Sequence, residues 1–184
     1  MYKYFSLCIS CVAILATVSA ANAQTRVPDT GMFAVGADVG FGVPTESELG
    51  ETVPFGGYFE YYFTPRMSIR PSVFFASPQV GSEPDTSMKD RRVSIDGIYN
   101  WEHGAWHPFA GAGLGIHMLK VEENDFELAD GTKLGLDLLA GIEYFTNRDM
   151  VIKGEFGYQP IDNLSGWPAP SSFMFSVGLK WYFQ

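Results

Sequence analysis

Eight stretches of the chain alternate apolar and polar residues with a period of two. In the last, residues 171–184, Phe173, Phe175, Val177, Leu179, Trp181 and Phe183 share one parity, and Met174, Ser176, Gly178, Lys180 and Tyr182 the other. A period of two is that of a strand, whose successive side chains point to opposite faces. Seven more segments precede it, at residues 32–42, 55–63, 67–76, 92–101, 109–118, 133–145 and 151–158. The apolar parity of all eight holds no Asp, Glu, Lys, Arg or His. The opposite parity carries Asp38, Glu60, Arg70, Arg92, Asp96, Lys133, Asp137, Glu143, Lys153, Glu155 and Lys180, together with most of the glycines.

Which face looks outward decides the environment. A water-soluble barrel turns its polar face out, whereas small and charged residues on the inside with an unbroken oily stripe outside describe a barrel standing in lipid. At about 3.3 Å per residue, a tilted strand of roughly ten residues crosses the hydrocarbon layer. A strand alone cannot remain there, because its backbone groups find no water, so the strands must close into a ring. The connections alternate: short at 64–66, 102–107 and 146–149, long and rich in Pro, Ser, Asp and Glu at 43–54, 77–91, 119–132 and 159–170. Short inner turns and long outer loops are the habit of outer-membrane barrels. Phe33, Phe63, Trp101, Trp106, Tyr144, Trp181 and Phe183 are expected at the lower rim, and Phe41, Phe55, Phe75 and Trp167 at the upper one, as two aromatic girdles. Pro71 cannot donate to a ladder, and a bulge is expected there. The fold class expected is an all-β, eight-stranded antiparallel up-and-down transmembrane barrel.

Composition sharpens this picture. Residues 1–23 have a charged start at Lys3, an apolar core from Leu7 to Val18 and an Ala21-Asn22-Ala23 cleavage site, the layout of an export signal. That leaves residues 24–184 as the barrel domain, in the outer membrane of a diderm bacterium. Cys8 and Cys11 both lie in the signal, so the mature chain carries no disulfide. The formal net charge of the 184 residues is −9, which disfavours nucleic acid as a partner, since phosphate backbones need a basic surface. No run of 18 apolar residues follows the signal, so no membrane-crossing helix is expected.

With these residues in hand, the chain resembles the small eight-stranded outer-membrane barrels of the OmpA/OmpX kind, the outer membrane protein beta-barrel domain family. The resemblance spans the mature chain and is sharpest in His107-Pro-Phe-Ala-Gly-Ala-Gly-Leu-Gly-Ile-His117, similar to that family's Pro-aromatic-x-Gly-x-Gly-x-Gly strand, and in the aromatic-ended last strand. It implies that the terminal aromatic is read by the barrel-assembly machinery during biogenesis; here Phe183 is followed by Gln184. It also implies contact with outer-membrane lipid and lipopolysaccharide. A peptidoglycan-binding second domain is not expected.

Three classes of function remain. The first is a structural or surface-interaction barrel without catalysis. The inward charges nearly balance, and they either pair into a network that plugs the lumen or line a wet interior. The second is a narrow pore or transporter for a small hydrophobic molecule. The third is a lipid A-modifying enzyme, for which the residues offer little: His103 and His107 flank a short turn, and His117 ends strand 5 pointing inward with no Ser-Asn motif beside it. No paired-His or HExxH spacing points to a metal, and no catalytic, cofactor or metal residue is assigned. Glu46, Glu48 and Glu51 in one long loop, and Glu122, Glu123, Asp125, Glu127 and Asp130 in another, either bind an extracellular ligand or keep the loops solvated. Asn124-Asp125 and Asp130-Gly131 are fragments of a calcium loop without its spacing.

Overall fold

The computed structural model describes residues 28–78, 86–102, 104–123, 126–161 and 171–183. The signal, Trp167, His103 and the interior of the last long loop lie outside them. Eight strands follow one another as β1 (Phe33–Pro44), β2 (Phe55–Tyr62), β3 (Met67–Ala76), β4 (Thr86–Asn100), β5 (Trp106–Glu123), β6 (Phe126–Phe145), β7 (Met150–Gln159) and β8 (Ser172–Phe183). Each pairs antiparallel with the next, and β8 returns to β1, closing the barrel. Closure leaves no sheet edge in the lipid zone, as backbone chemistry there demands.

The ring is strongly staggered. Paired residues lead from Phe33 through Tyr61, Ile69, Gly97, Ala112, Leu138, Tyr158 and Phe173 back to β1 at Val43, ten residues further along. Such stagger goes with steep strand tilt, and eight strands enclose a space that side chains fill. Parity falls as the alternation requires. In β3, for example, Met67, Ile69, Val73 and Phe75 are exposed while Ser68, Arg70, Ser72 and Phe74 are buried.

The short turns are built by side chains that accept backbone hydrogens. Thr64 Oγ1 takes the Met67 N–H at 2.9 Å, and Asn147 Oδ1 takes those of Asp149 and Met150 at 3.0 and 2.9 Å. Gly104, with φ +65°, supplies the left-handed residue of the β4–β5 turn.

Two expectations are corrected. Pro71 makes no bulge: the β3–β4 register runs unbroken through Pro71↔Ile95. On the β2 side the pairs on either side of it, Tyr58↔Ser72 and Tyr61↔Ile69, keep one register. The proline drops its ladder bond without inserting a residue. The bulge lies instead between Val121 and Glu122. Second, much of 77–91 and nearly all of 119–132 are strand, not loop. β4 begins at Thr86, and β5 and β6 pair up to Glu123↔Phe126. The reason is a switch of faces. Along the upper part of this ribbon Met88, Leu119 and Val121 point inward and are buried, while Lys89, Arg91 and Lys120 point outward. The outer surface has left the lipid, so the alternation continues with its sign reversed.

The inward glycines form slots for the large side chains directly across the ladder. Tyr58 lies over Gly36, Phe74 over Gly56, Asp96 over Gly113, Phe109 over Gly141 and Asp38 over Gly178, each a register pair. A Cβ at any of these glycines would overlap its partner's side chain. At the outward Gly154 nothing lies within 4 Å. Gly113→Ala and Gly178→Ala are therefore expected to destabilise the barrel by about 1–3 kcal/mol through overpacking, and Gly154→Ala to be neutral or better. Urea unfolding of the refolded protein in lipid vesicles, followed by tryptophan emission, measures the difference.

Candidate functional site

The interior is layered. At the end bearing the short turns, Met32, Ala34, Tyr62, Phe145, Val151 and Tyr182 form an apolar floor. His107 lies in this layer, its ring 4.7 Å from that of Phe145 and its Nε2 3.1 Å from the Gly104 carbonyl.

Above the floor, alternation delivers seven ionic side chains from six strands to one level. The Lys153 ammonium lies 2.7 Å from Asp38 Oδ2 and 3.0 Å from Glu155 Oε2. Arg70 joins Glu155 at 2.7 Å to Glu60 at 3.3 Å. Lys180 joins Glu60 at 3.0 Å to Glu143 at 2.5 Å. Ser68 donates to the second oxygen of Glu60 at 2.5 Å. The hydroxyl of Tyr62 meets Lys180 and the Tyr182 hydroxyl, both at 2.9 Å, and Tyr182 donates to Glu143 at 3.2 Å. The Tyr58 ring lies 4.7 Å from the Arg70 guanidinium and 4.3 Å from the Lys153 ammonium. Glu60, Lys153 and Lys180 are wholly buried. Charges so removed from water persist only when paired and hydrogen-bonded, and each cation here touches at least two carboxylates.

Two smaller layers follow. Arg92 lies 3.2 Å from Asp137 and over the Phe74 ring at 4.7 Å, and the Ser72 and Ser94 hydroxyls meet at 2.7 Å beside Asp96. The cavity between this layer and the one below amounts to about 10 Å³, room for one water. Higher still, His117 is fully buried with Nδ1 2.9 Å from Asp90 Oδ2. Leu49, folded in from the β1–β2 loop, then meets Met88, Leu119 and Val121 as an apolar ceiling, with Ala129 against it. Glu46, Glu48 and Glu51 around it stay exposed.

Parity alone placed Asp38, Glu60, Arg70, Arg92, Asp96, Asp137, Glu143, Lys153, Glu155 and Lys180 inside, and there they are buried. Lys133, half-buried, stands across the ladder from His117. His117 does not end its strand; β5 runs on to Glu123. Asp90 was missed because it fell in a stretch read as loop, although the Asp90–Arg92 spacing of two is the signal of a shared face. Parity turned Tyr62 and Tyr182 inward as well, but their hydroxyl contacts with Lys180 and Glu143 were missed because those depend on register. Among the described residues no three His, Cys, Asp or Glu side chains gather as a metal site.

An ionic interior, a charge-free oily belt around the outside and complete backbone closure define an integral membrane β-barrel. The sequence profile of the outer membrane protein beta-barrel domain matches residues 9–183, and the chain belongs to that family. Its place is the outer membrane. The fold is similar to that of Neisserial surface protein A, with a TM-score of 0.66 and 16% identity over 83% of this chain and 96% of that one. OprG of Pseudomonas aeruginosa follows with 0.62 and 13% over 88% and 100%, and the N-terminal barrel of OprF from the same organism with 0.60 and 14% over 85% and 100%. No curated protein matches the chain.

Arg70→Ala leaves Glu60 and Glu155 short of a cation and is expected to cost about 3–5 kcal/mol. Combining Arg70→Met with Glu60→Gln removes the charge imbalance along with the cation and should recover part of the loss. Equilibrium urea unfolding in vesicles compares the two. Equal destabilisation by both would mean that side-chain volume, not charge pairing, is what Arg70 supplies.

Proposed function

We propose that the protein is a structural and surface-interaction barrel of the outer membrane, without catalysis, whose lumen is closed. The observation that carries this reading is the stack of layers: an apolar floor, a six-strand ionic network, an Arg92–Asp137 layer and an apolar ceiling. A conducting path must part ion pairs that have no water to replace them. Among the described residues the dyad with catalytic composition is Asp90–His117, and it is enclosed within the barrel, whereas an acyl chain or lipid headgroup meets only the outer wall. The exposed Glu46, Glu48 and Glu51 leave the mouth acidic and suited to basic or cation-bridged partners. Cleavage after Ala23 and delivery by the barrel-assembly machinery belong to the same reading.

Planar-bilayer recording tests the closure. The refolded protein is expected to show no more than brief, small openings at 1 M salt. A large, steady conductance would reject the closed lumen and favour the narrow-pore reading.

A further inference from the structure

At the seam where the barrel closes, one row of the ladder runs from Lys153 on β7 through Gly178 on β8 to Asp38 on β1. Both outer members of the row point inward, and the glycine between them has no side chain to keep them apart. Lysine and aspartate therefore meet over it. The Asp38 carboxyl takes the space that a Cβ at position 178 would need, and the Lys153 ammonium lies 2.7 Å from Asp38 Oδ2.

This pair differs from the others in the lumen. Both oxygens of Glu60 are held, one by Ser68 and the other by Arg70 and Lys180. Asp38 engages Lys153 through Oδ2, and its Oδ1 has no hydrogen-bond partner among the described residues. Glu155, two residues along the same face of β7, touches the Lys153 nitrogen at 3.0 Å and is itself held by Arg70 at 2.7 Å. The Tyr58 ring covers that nitrogen at 4.3 Å. Lys153 is wholly buried, and Asp38 and Glu155 nearly so. An amine, a carboxyl and a second carboxyl to carry a proton, fixed together away from bulk water, are the components of amide formation.

We propose that Lys153 and Asp38 condense into an isopeptide bond that straps β7 to β1 across β8. Proton transfer along their hydrogen bond gives a neutral amine and a neutral acid and leaves the charge of the lumen unchanged. The Nζ lone pair adds to Cγ of Asp38, forming the C–N bond. Glu155 takes the proton that the nitrogen sheds and passes it to the departing hydroxyl. The C–O bond breaks, one water leaves, and the amide remains; no oxidant or other reactant enters. The cavity of about 10 Å³ is lined by Asp38, Lys153, Glu155 and Tyr58, whose buried hydroxyl lacks a partner among the described residues, and it has room for that water. Two buried charges become one neutral group, which removes their desolvation cost. Exclusion of bulk water opposes hydrolysis of the product. The bond does not depend on whether the lumen conducts, so the two readings succeed or fail separately.

The test follows the intact protein by mass as it refolds from urea into phosphatidylcholine vesicles. The folded chain is expected to become lighter by one water, and its digestion under denaturing conditions to release a joined peptide that contains both Asp38 and Lys153. The chain kept in urea is expected to retain its full mass. Lys153→Met and Asp38→Ala are expected to abolish joining, and Glu155→Gln to slow it by about a hundredfold, the scale of one general acid–base group. Full mass and separate peptides in the folded parent, equal joining in urea, or an unchanged rate in Glu155→Gln overturns the proposal. Should the variants not fold, the mass and peptides of the parent before and after folding decide it alone.

Discussion

A strand surrounded by acyl chains must hand every N–H and C=O to another strand, and the whole molecule follows from that requirement. It forbids an edge, so β8 must find β1. It leaves only side chains to answer to the lipid, so one parity of each strand is oily and uncharged. The other parity is turned into a space too narrow for bulk water, and whatever ionises there must find its partner among seven other strands. Closure of the backbone thus determines the chemistry of the interior.

The ionic network answers that second demand in a particular way. Its contacts are mostly not between ladder neighbours. Arg70 on β3 reaches Glu155 on β7, and Lys180 on β8 reaches Glu60 on β2. Such pairs cross the lumen, which is why they fill it. A buried ion network is weak evidence for stability, because an apolar filling often does as well. Its stronger consequence is specificity. A register slip of one residue would turn every one of these charges into the lipid and every oily side chain into the lumen. The glycine slots act in the same sense. Asp38 fits beside Gly178 and Asp96 beside Gly113 only when β1–β8 and β4–β5 pair as they do.

The lipid-facing parity of all eight strands was legible in the sequence, and with it the barrel and the identity of its inward charges. Membrane strands make this easy, since one side tolerates no charge at all. The partners of those charges were not legible. Parity says that Arg70 points inward; it does not say that the stagger of ten residues brings it to Glu155 rather than to Asp96. The glycines could be read as small interior residues, but their direct opposition to Tyr58, Phe74, Phe109, Asp38 and Asp96 depends on register, which neither the turns nor the composition specifies. Leu49 was hidden in a loop, where a lone apolar residue carries no period.

The upper parts of β4, β5 and β6 show why the expected loops turned out to be strand. A single rule, that the oily parity is the outer one, describes most of each strand. It holds only while lipid lies outside. Past Arg91 on β4 and Met118 on β5 the outer medium is aqueous, the apolar parity moves inward to Met88, Leu119 and Val121, and a pattern followed on one face alone breaks off. Followed on both faces, it inverts. The residue at which the inversion occurs therefore marks the membrane surface, strand by strand, from sequence alone. By that measure Asp90 and His117 lie at the inversion, one step inside the point where the wall becomes wet, and Lys89, Arg91 and Lys120 lie at the same level on the outside. Interior ion pairing and outer-wall cations thus share one boundary, set by where the hydrocarbon ends.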